Sequence, residues 1–376
     1  MIRNIELKFF KCFKKLNMPL SELTLLSGTN ASGKSSLLQA LVLLHQTIHD
    51  NEWGKRLVLN GDILRLGTVQ DVVNKTFGRY EFELEMKSDD SSHHWVFSGD
   101  RPEMSMEIKY FSENKHVDSE RLFRLLPFPS NLSSIISSKL AGLTYITAER
   151  IGPRDFYPLE DRSTIQTVGP RGENTVSLLF RLAENQVSDK LLIQSVAPTL
   201  LRQVEAWMDR FFPGCGIEVA PIARMNAVTL GIRTSPETDY HRPINVGFGL
   251  TQVLPIITAV LSAKRDDIIL IENPEVHLHP AGQALMGSFL ALAASNGPQI
   301  IIETHSDHVL NGIRRAVRGK DLLPSQATLH FFRQPKANFD QVVSPTLDDA
   351  GNVDIWPDGF FDQFDKDMNH FAGWGE

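Results

Sequence analysis

The sequence predicts an α/β fold built on a mainly parallel sheet, and three observations point there. Residues 28–35 read G-T-N-A-S-G-K-S, a G-x-x-x-x-G-K-S loop between the apolar run Leu23–Ser27 and a helix-length periodic stretch over Ser36–His45. A second apolar run, Ile268-Ile-Leu-Ile271, ends in the acid Glu272. From Gly247 to Phe332, strand-length apolar runs alternate with helical patterns, the order of parallel strands joined by crossover helices.

Composition bounds the rest. The chain has 376 residues, 42% hydrophobic and 22% charged, enough for a full core in one large domain or two. A formal charge of −7 argues against a surface coated for nucleic acid but leaves room for a local basic groove. Cys12 and Cys215 offer neither a disulfide framework nor a zinc spacing, which suits a reducing compartment. The N-terminus alternates charged and apolar residues without the apolar core of a signal peptide. Apolar stretches such as Val253–Leu261 are too short to cross a bilayer, so a cytoplasmic location with no membrane partner is expected.

Taken in order, residues 2–27 alternate in a strand-like way (Ile2, Ile5, Leu7, Phe9) and then deliver the glycine loop. Tyr80–Met86 alternates strictly, Ser88–His93 turns, and Trp95–Phe97 returns as the partner strand. Residues 113–140 are polar and serine-rich, as in an insertion. Leu143–Thr147 is a strand, and helical stretches over 174–212 must break or kink at Pro198. A β-rich segment spans Ile217–Thr234. The second half then runs as loop and helix (Gly247–Ala263), strand (Asp267–Glu272), helix (Ala281–Ala294), strand (Gln299–Glu303), helix (Ser306–Val317) and strand (Thr328–Phe332).

The glycine loop carries chemistry through geometry. Gly28, Asn30, Ala31, Ser32 and Gly33 let backbone N–H groups curl around phosphates, and the helix that starts at Lys34 adds its positive dipole end. Lys34 can reach the β- and γ-phosphates, the Ser35 hydroxyl can ligate Mg²⁺, and Ser36 continues the cradle. Glu272 fits the Walker B pattern, a buried strand that delivers a carboxylate to the Mg²⁺ shell beside the loop.

The stretches GTNASGKSS, LGTVQD, YITAERIGPR, NVGFGLTQVLP, IENPEVHLHP, IIIETHSD and WPDGFFDQF together resemble the ABC-type ATPase heads of the SMC, DNA-repair and OLD-like AAA-family ATPases. The nearest resemblance is to stand-alone ATPases of bacteria and archaea often found with anti-phage defence genes. It implies a P-loop NTPase of ABC/SMC-head type, with a mainly parallel sheet, an N-terminal β subdomain and a helical subdomain. Residues 1–376 would form one head: a P-loop and β-rich lobe (1–150), a helical and β lobe (151–245), the signature, Walker B and switch region (246–334), and a C-terminal tail (335–376). It further implies ATP and Mg²⁺, a homodimer that sandwiches ATP, and a separately encoded effector, possibly a nuclease, in defence against foreign DNA.

The same resemblance assigns residues. Gln70 falls at the Q-loop glutamine that touches Mg²⁺ and the attacking water. Gly247, Phe248, Gly249, Thr251 and Gln252 occupy the signature that binds the γ-phosphate held by a second protomer, although the usual Ser-Gly-Gly form is replaced. His305 sits at the switch histidine. ABC heads place Asp then Glu at the end of the Walker B strand, whereas this chain has Glu272 then Asn273. An amide cannot take a proton as a general base, so hydrolysis is expected to be slow unless Glu275 or His305 activates water.

Other polar groups carry blander readings. His277 and His279 lack a third ligand for a metal. Asp362, Asp365 and Asp367 read as an acidic, solvated tail rather than a nuclease centre. Arg314, Arg315, Arg318 and Lys320 complement a helix C-terminus and are the best local candidates for contact with a nucleic-acid backbone. The alternative function is an SMC-like DNA-binding ATPase that acts in DNA repair or processing with a partner nuclease. A repair-type SMC protein would need coiled-coil arms, for which no heptad run exists, and an OLD-type nuclease would need a TOPRIM domain where only about fifty residues follow Thr328.

Overall fold

Leu23–Gly28, the strand that delivers the glycine loop, lies inside a six-stranded sheet of the computed structural model, which describes residues 1–49, 56–117, 122–123, 125–127, 134–159, 167–334 and 340–372. From one edge the order is Leu143–Ile146, Ile268–Glu272, Gln299–Glu303, Leu23–Gly28, Ala327–Phe332 and Val342–Val343. The first five run parallel and the last is antiparallel. Three inner strands, Ile268–Glu272, Gln299–Glu303 and Leu23–Gly28, are buried without alternation, as required of strands covered on both faces. The register places Glu272 beside Glu303, and Glu303 beside Leu26. Two carboxylates therefore end adjacent strands next to the glycine loop, at the strand ends where open α/β sheets bind ligands.

One apolar cluster packs the helices Phe248–Ser262, Pro280–Ala294 and Asp307–Arg318 against this sheet, through Val253, Ile257, Phe289 and Ile313. A second cluster lies around the helix Lys34–His49 and a seven-stranded antiparallel sheet centred on Ile2–Phe10 and Glu81–Ser88. In that sheet Phe82, Leu84 and Met86 face inward, while Glu81 and Glu83 pair with Lys109 and Lys8, each at 2.8 Å. Ser92–Ser98 returns as its antiparallel partner, as the alternation predicts.

Three expectations need correction. The first strand is not regular: its pairing shifts between Ile2 and Asn4, and Phe9 adopts a left-handed φ of 58°. The left-handed residue turns Phe10, not Phe9, into the core, and Phe9 instead carries the Arg79 guanidinium at 4.3 Å from its ring centre. The polar stretch 113–140 is partly integrated. Leu125 and Leu126 are buried, the Leu125 carbonyl accepts from the Trp95 indole at 2.9 Å, and Ser134 caps the helix Ile135–Ala141. Within it, 118–121, 124 and 128–133 lie outside the described residues.

The tail beyond residue 335 also docks. Val342–Val343 pairs with Ala327–Phe332, and Phe360 is fully buried with its ring 5.4 Å from that of Phe331. The terminal helix Gln363–Phe371 keeps the solvated character expected, with Lys366 bridging Asp358 and Asp362. Asp367 lies on this helix, as does the backbone of Asp365. Of the basic cluster, Arg314 is engaged by the Gly351 carbonyl at 2.7 Å and by the Trp356 ring, whereas Arg315, Arg318 and Lys320 are exposed. The break at Pro198 is observed: helices span Thr175–Leu182 and Leu200–Phe211, with Pro198 between them.

The helices Pro280–Ala294 and Asp307–Arg318 approach closely through glycine. A Cβ on Gly312 would lie 2.0 Å from the Ala284 carbonyl oxygen, and Ser306 donates to Gln283 at 2.6 Å to set the same spacing. Gly312→Ala must push these helices apart and should destabilise the chain by roughly 1–3 kcal/mol, the usual cost of overpacking. A melting curve checks this, and an unchanged midpoint would mean that the crossing is looser than described.

Candidate nucleotide site

The glycine loop joins its strand to its helix around a cleft of about 410 Å³. Gly28 is fixed by sterics: at a φ of 140°, any Cβ would meet the Phe332 carbonyl oxygen at 2.1 Å. Asn30 and Ala31 are exposed, Ala31 with a left-handed φ of 59°, and Ser32 ties the turn by donating to the Thr29 carbonyl at 2.7 Å. Lys34 is only 4% exposed and donates to the carbonyls of Gly28 (3.0 Å) and Thr29 (2.9 Å). Its amine therefore lies folded onto the loop, where burial holds its pKa below the ordinary value and Glu303 opposes that shift. The cleft is lined by Lys11, Cys12, residues 30–36, Glu303 and His305. The structure thus gathers the expected loop residues and His305 in one place.

The carboxylates are arranged differently from the expectation. Glu272 does not reach the glycine loop: one of its oxygens accepts from the Tyr145 hydroxyl at 2.6 Å and the other from the Ala148 N–H at 3.3 Å. Glu303, on the strand between, accepts from the Ser35 hydroxyl at 3.0 Å and lies 4.0 Å from the Lys34 amine. Burial first, then the neighbouring Glu272, raises the Glu303 pKa from 4.5 to about 7. Glu275 accepts from the His305 N–H at 3.0 Å. Arg150, buried, donates to the carbonyls of Glu272 (2.6 Å) and Asn273 (3.0 Å), and burial lowers its pKa to about 10. Tyr145 is raised above its ordinary value by burial and by Glu272.

Several polar atoms here remain buried without a partner: the second carboxylate oxygens of Glu275 and Glu303, the side-chain oxygen of Asn273, and Nε and Nη1 of Arg150. Orphaned carboxylate oxygens beside a hydroxyl are a donor set that fits a hard divalent cation. Asn273 has a conformational role as well. Its φ of 43° is left-handed, a region that Asn tolerates better than most residues, and its N–H donates to the Glu303 carbonyl at 2.7 Å.

The residues placed by the Q-loop and signature resemblance divide. Gln70 is exposed on the short helix Val69–Val72 and does not line the cleft. Gly247 is exposed at the N-cap of Phe248–Ser262, and nothing lies within 4 Å of a Cβ placed there. Phe248 is 47% exposed with its ring 5.2 Å from that of His277, and a Cβ on Gly249 would meet the His277 carbonyl at 2.8 Å. Thr251 and Gln252, by contrast, are buried and serve the subunit itself, donating to the carbonyls of Phe248 and Ile151. His277 and His279 have separate tasks: His277 meets the Phe248 ring edge-on, and His279 accepts from the Ala281 N–H as a helix cap.

Sequence reasoning gave no role to Glu303, Tyr145, Arg150 or Gln341. Gln341 donates to the Ser32 carbonyl at 2.9 Å, so the docked C-terminal segment braces the loop. For Glu303 a signal existed: Ile300-Ile-Ile-Glu303 repeats the apolar-run-then-acid pattern of Ile268-Ile-Leu-Ile-Glu272.

The Glu303 shift sets a pH test. A carboxyl raised in the folded state binds its proton more tightly there than in the unfolded chain. Stability is therefore fully present below about 4.5 and is lost as pH rises toward about 7. In nucleotide- and metal-free protein, Glu303→Gln should match wild type at low pH and melt progressively higher across that window. A constant difference at all pH values would contradict it.

Comparison with known proteins agrees with this geometry. Residues 1–190 and 222–310 match the family described as AAA ATPase domain, and residues 322–370 match a family described as protein of unknown function (DUF3696). The OLD nuclease of Thermus scotoductus is 21% identical over 329 residues, covering 81% of this chain and 59% of the relative, so the chain spans about three-fifths of that protein's length. An SMC head bound to the C-winged helix domain of ScpA superposes with a TM-score of 0.53 at 13% identity, covering 93% of this chain and 98% of that one. The Pyrococcus furiosus Smc head with an extended coiled coil, bound to the C-terminal domain of ScpA, gives 0.52 at 13% identity and covers 99% and 98%. With more than half of its length matched, the chain belongs to the AAA ATPase domain family, built on the fold of an SMC head.

Proposed function

We propose that this chain is an ATP-dependent switch: it binds ATP with Mg²⁺ in the cleft, closes head-to-tail with a second copy around the nucleotide, and hydrolyses ATP slowly. The observation that carries the reading is the Lys34 amine, buried and held by the Gly28 and Thr29 carbonyls at the mouth of a phosphate-sized loop. Phosphate oxygens would replace those carbonyls, and the loop N–H groups would complete the cradle. Mg²⁺ would sit among Ser35 and the carboxylate cluster and neutralise charge on the β- and γ-phosphates.

Closure is supported by the exposed N-terminus of Phe248–Ser262. Gly247, Phe248 and Gly249 contribute nothing to their own cleft and leave a helix N-terminus open for an anion. Slow turnover is supported by Asn273, which leaves no proton acceptor at the usual position. The open and closed states would then be read by a separate effector. The likeness to an OLD nuclease supports a nuclease partner, and the two SMC heads, seen with ScpA domains, support docking of a second protein on such a head.

Lys34→Ala should abolish ATP binding in a calorimetric titration. ATP with Mg²⁺ should double the mass seen by light scattering, and Gly247→Trp should block the doubling without lowering the melting temperature, since a Cβ at this exposed position meets nothing within 4 Å. Equal masses for both proteins with and without ATP would sink the sandwich. Gly249 is the poorer probe, because its Cβ would strike the subunit's own His277 carbonyl.

Single-turnover hydrolysis tests the missing base. Asn273→Glu should accelerate the step at least about tenfold, for about 1.4 kcal/mol of added transition-state stabilisation. Fast wild-type turnover that is lost in Glu275→Gln would instead make Glu275 the base.

A further inference from the structure

We infer that Glu303, and not Glu272 of the Walker B strand, is the carboxylate that this chain presents to the divalent cation of its nucleotide, an inference that rests on the nucleotide reading proposed above. Sheet order is the first reason. Gln299–Glu303 lies between the Walker B strand and the glycine-loop strand, so Glu303 is paired beside Leu26 while Glu272 is one strand further away.

Contact with the loop is the second reason. The Ser35 hydroxyl donates to Glu303 at 3.0 Å. A hydroxyl and a carboxylate already in hydrogen-bond contact can enter one coordination sphere with little movement. Glu303 lines the cleft and is only 6% exposed, and its second oxygen is buried with no partner. A buried carboxylate oxygen in that condition costs free energy that a cation ligand would recover.

Glu272 has the opposite circumstances. It does not line the cleft, and both of its oxygens are engaged, by Tyr145 at 2.6 Å and by Ala148 at 3.3 Å. Its carbonyl is held by Arg150 at 2.6 Å, so the strand end is clamped as well. To ligate a metal, Glu272 would have to share oxygens already committed to Tyr145 and Ala148 and reach past the intervening strand. Its place favours a positioning role: it fixes Tyr145 and the turn through Asn273, whose N–H holds the Glu303 carbonyl at 2.7 Å. The donor set of one hydroxyl, one carboxylate and phosphate oxygens is all hard oxygen. It suits Mg²⁺ or Mn²⁺.

Mn²⁺ and a non-hydrolysable ATP analogue are the probes, with the full chain and bound metal read by electron paramagnetic resonance. Glu303→Gln should weaken Mn²⁺ binding in the presence of the analogue at least about tenfold, the scale seen when groups around a metal are removed. In EDTA the same variant should bind the analogue as well as wild type or better, because a negative charge beside the phosphates is gone. Its melting temperature should not fall, which separates loss of metal from loss of fold. Glu272→Gln should cost less metal affinity than Glu303→Gln. An equal or larger loss for Glu272→Gln, or full retention by both variants, overturns the inference and leaves the nucleotide reading standing. Failure of wild type to bind the analogue at all overturns both.

Discussion

Three carboxylates, Glu272, Glu275 and Glu303, are brought together at the C-terminal ends of two adjacent parallel strands, and the rest of the site depends on how their charge is tolerated. Two cations face them from inside the protein: Lys34 at 4.0 Å from Glu303, and the buried Arg150 on the carbonyls of Glu272 and Asn273. That compensation is incomplete, as the Glu303 pKa near 7 and the partnerless oxygens of Glu275 and Glu303 record. Buried charge of this kind is expensive unless paired. The chain carries the expense at one location, beside a loop shaped for phosphates.

The same cluster is joined to the surface where a second copy would dock. Arg150 holds the turn after Ile268–Glu272, and the next residue, Ile151, accepts from Gln252 on the helix Phe248–Ser262 at 3.2 Å. On the other side, His277 meets Phe248 edge-on and its carbonyl abuts Gly249. The carboxylate cluster and the helix Phe248–Ser262 of the same subunit are thus linked through direct contacts. Under the proposed switch, a γ-phosphate would bias that linkage between two states.

Much of the fold was legible because strands of a covered parallel sheet are uninterrupted apolar runs. Gln299–Glu303 is observed with the expected ends, and Ile268–Glu272 differs by one residue. The glycine loop was legible for a related reason, since its residue types follow from contacts such as that of Gly28 with the Phe332 carbonyl. What could not be read was the sheet order. Glu272 and Glu303 end similar strands in the sequence, and only the insertion of Gln299–Glu303 beside Leu23–Gly28 decides which one meets Ser35. The docked tail escaped notice because it is anchored by few apolar side chains, Phe360 foremost, within a polar stretch. Phe9 was misplaced because a single left-handed residue shifts the alternation by one.

The most direct test of a cation-dependent carboxylate site is the melting temperature of the wild-type chain with a non-hydrolysable ATP analogue, measured with Mg²⁺ and again with EDTA. Ligands that bind only the folded state stabilise it by mass action. With Mg²⁺ the phosphates and the carboxylates share a counter-ion, and a large rise is expected. Without it, the phosphates meet Glu303 and its neighbours directly, and the rise should be much smaller or absent. Equal rises in the two conditions would contradict a site organised around buried carboxylates and a shared metal ion.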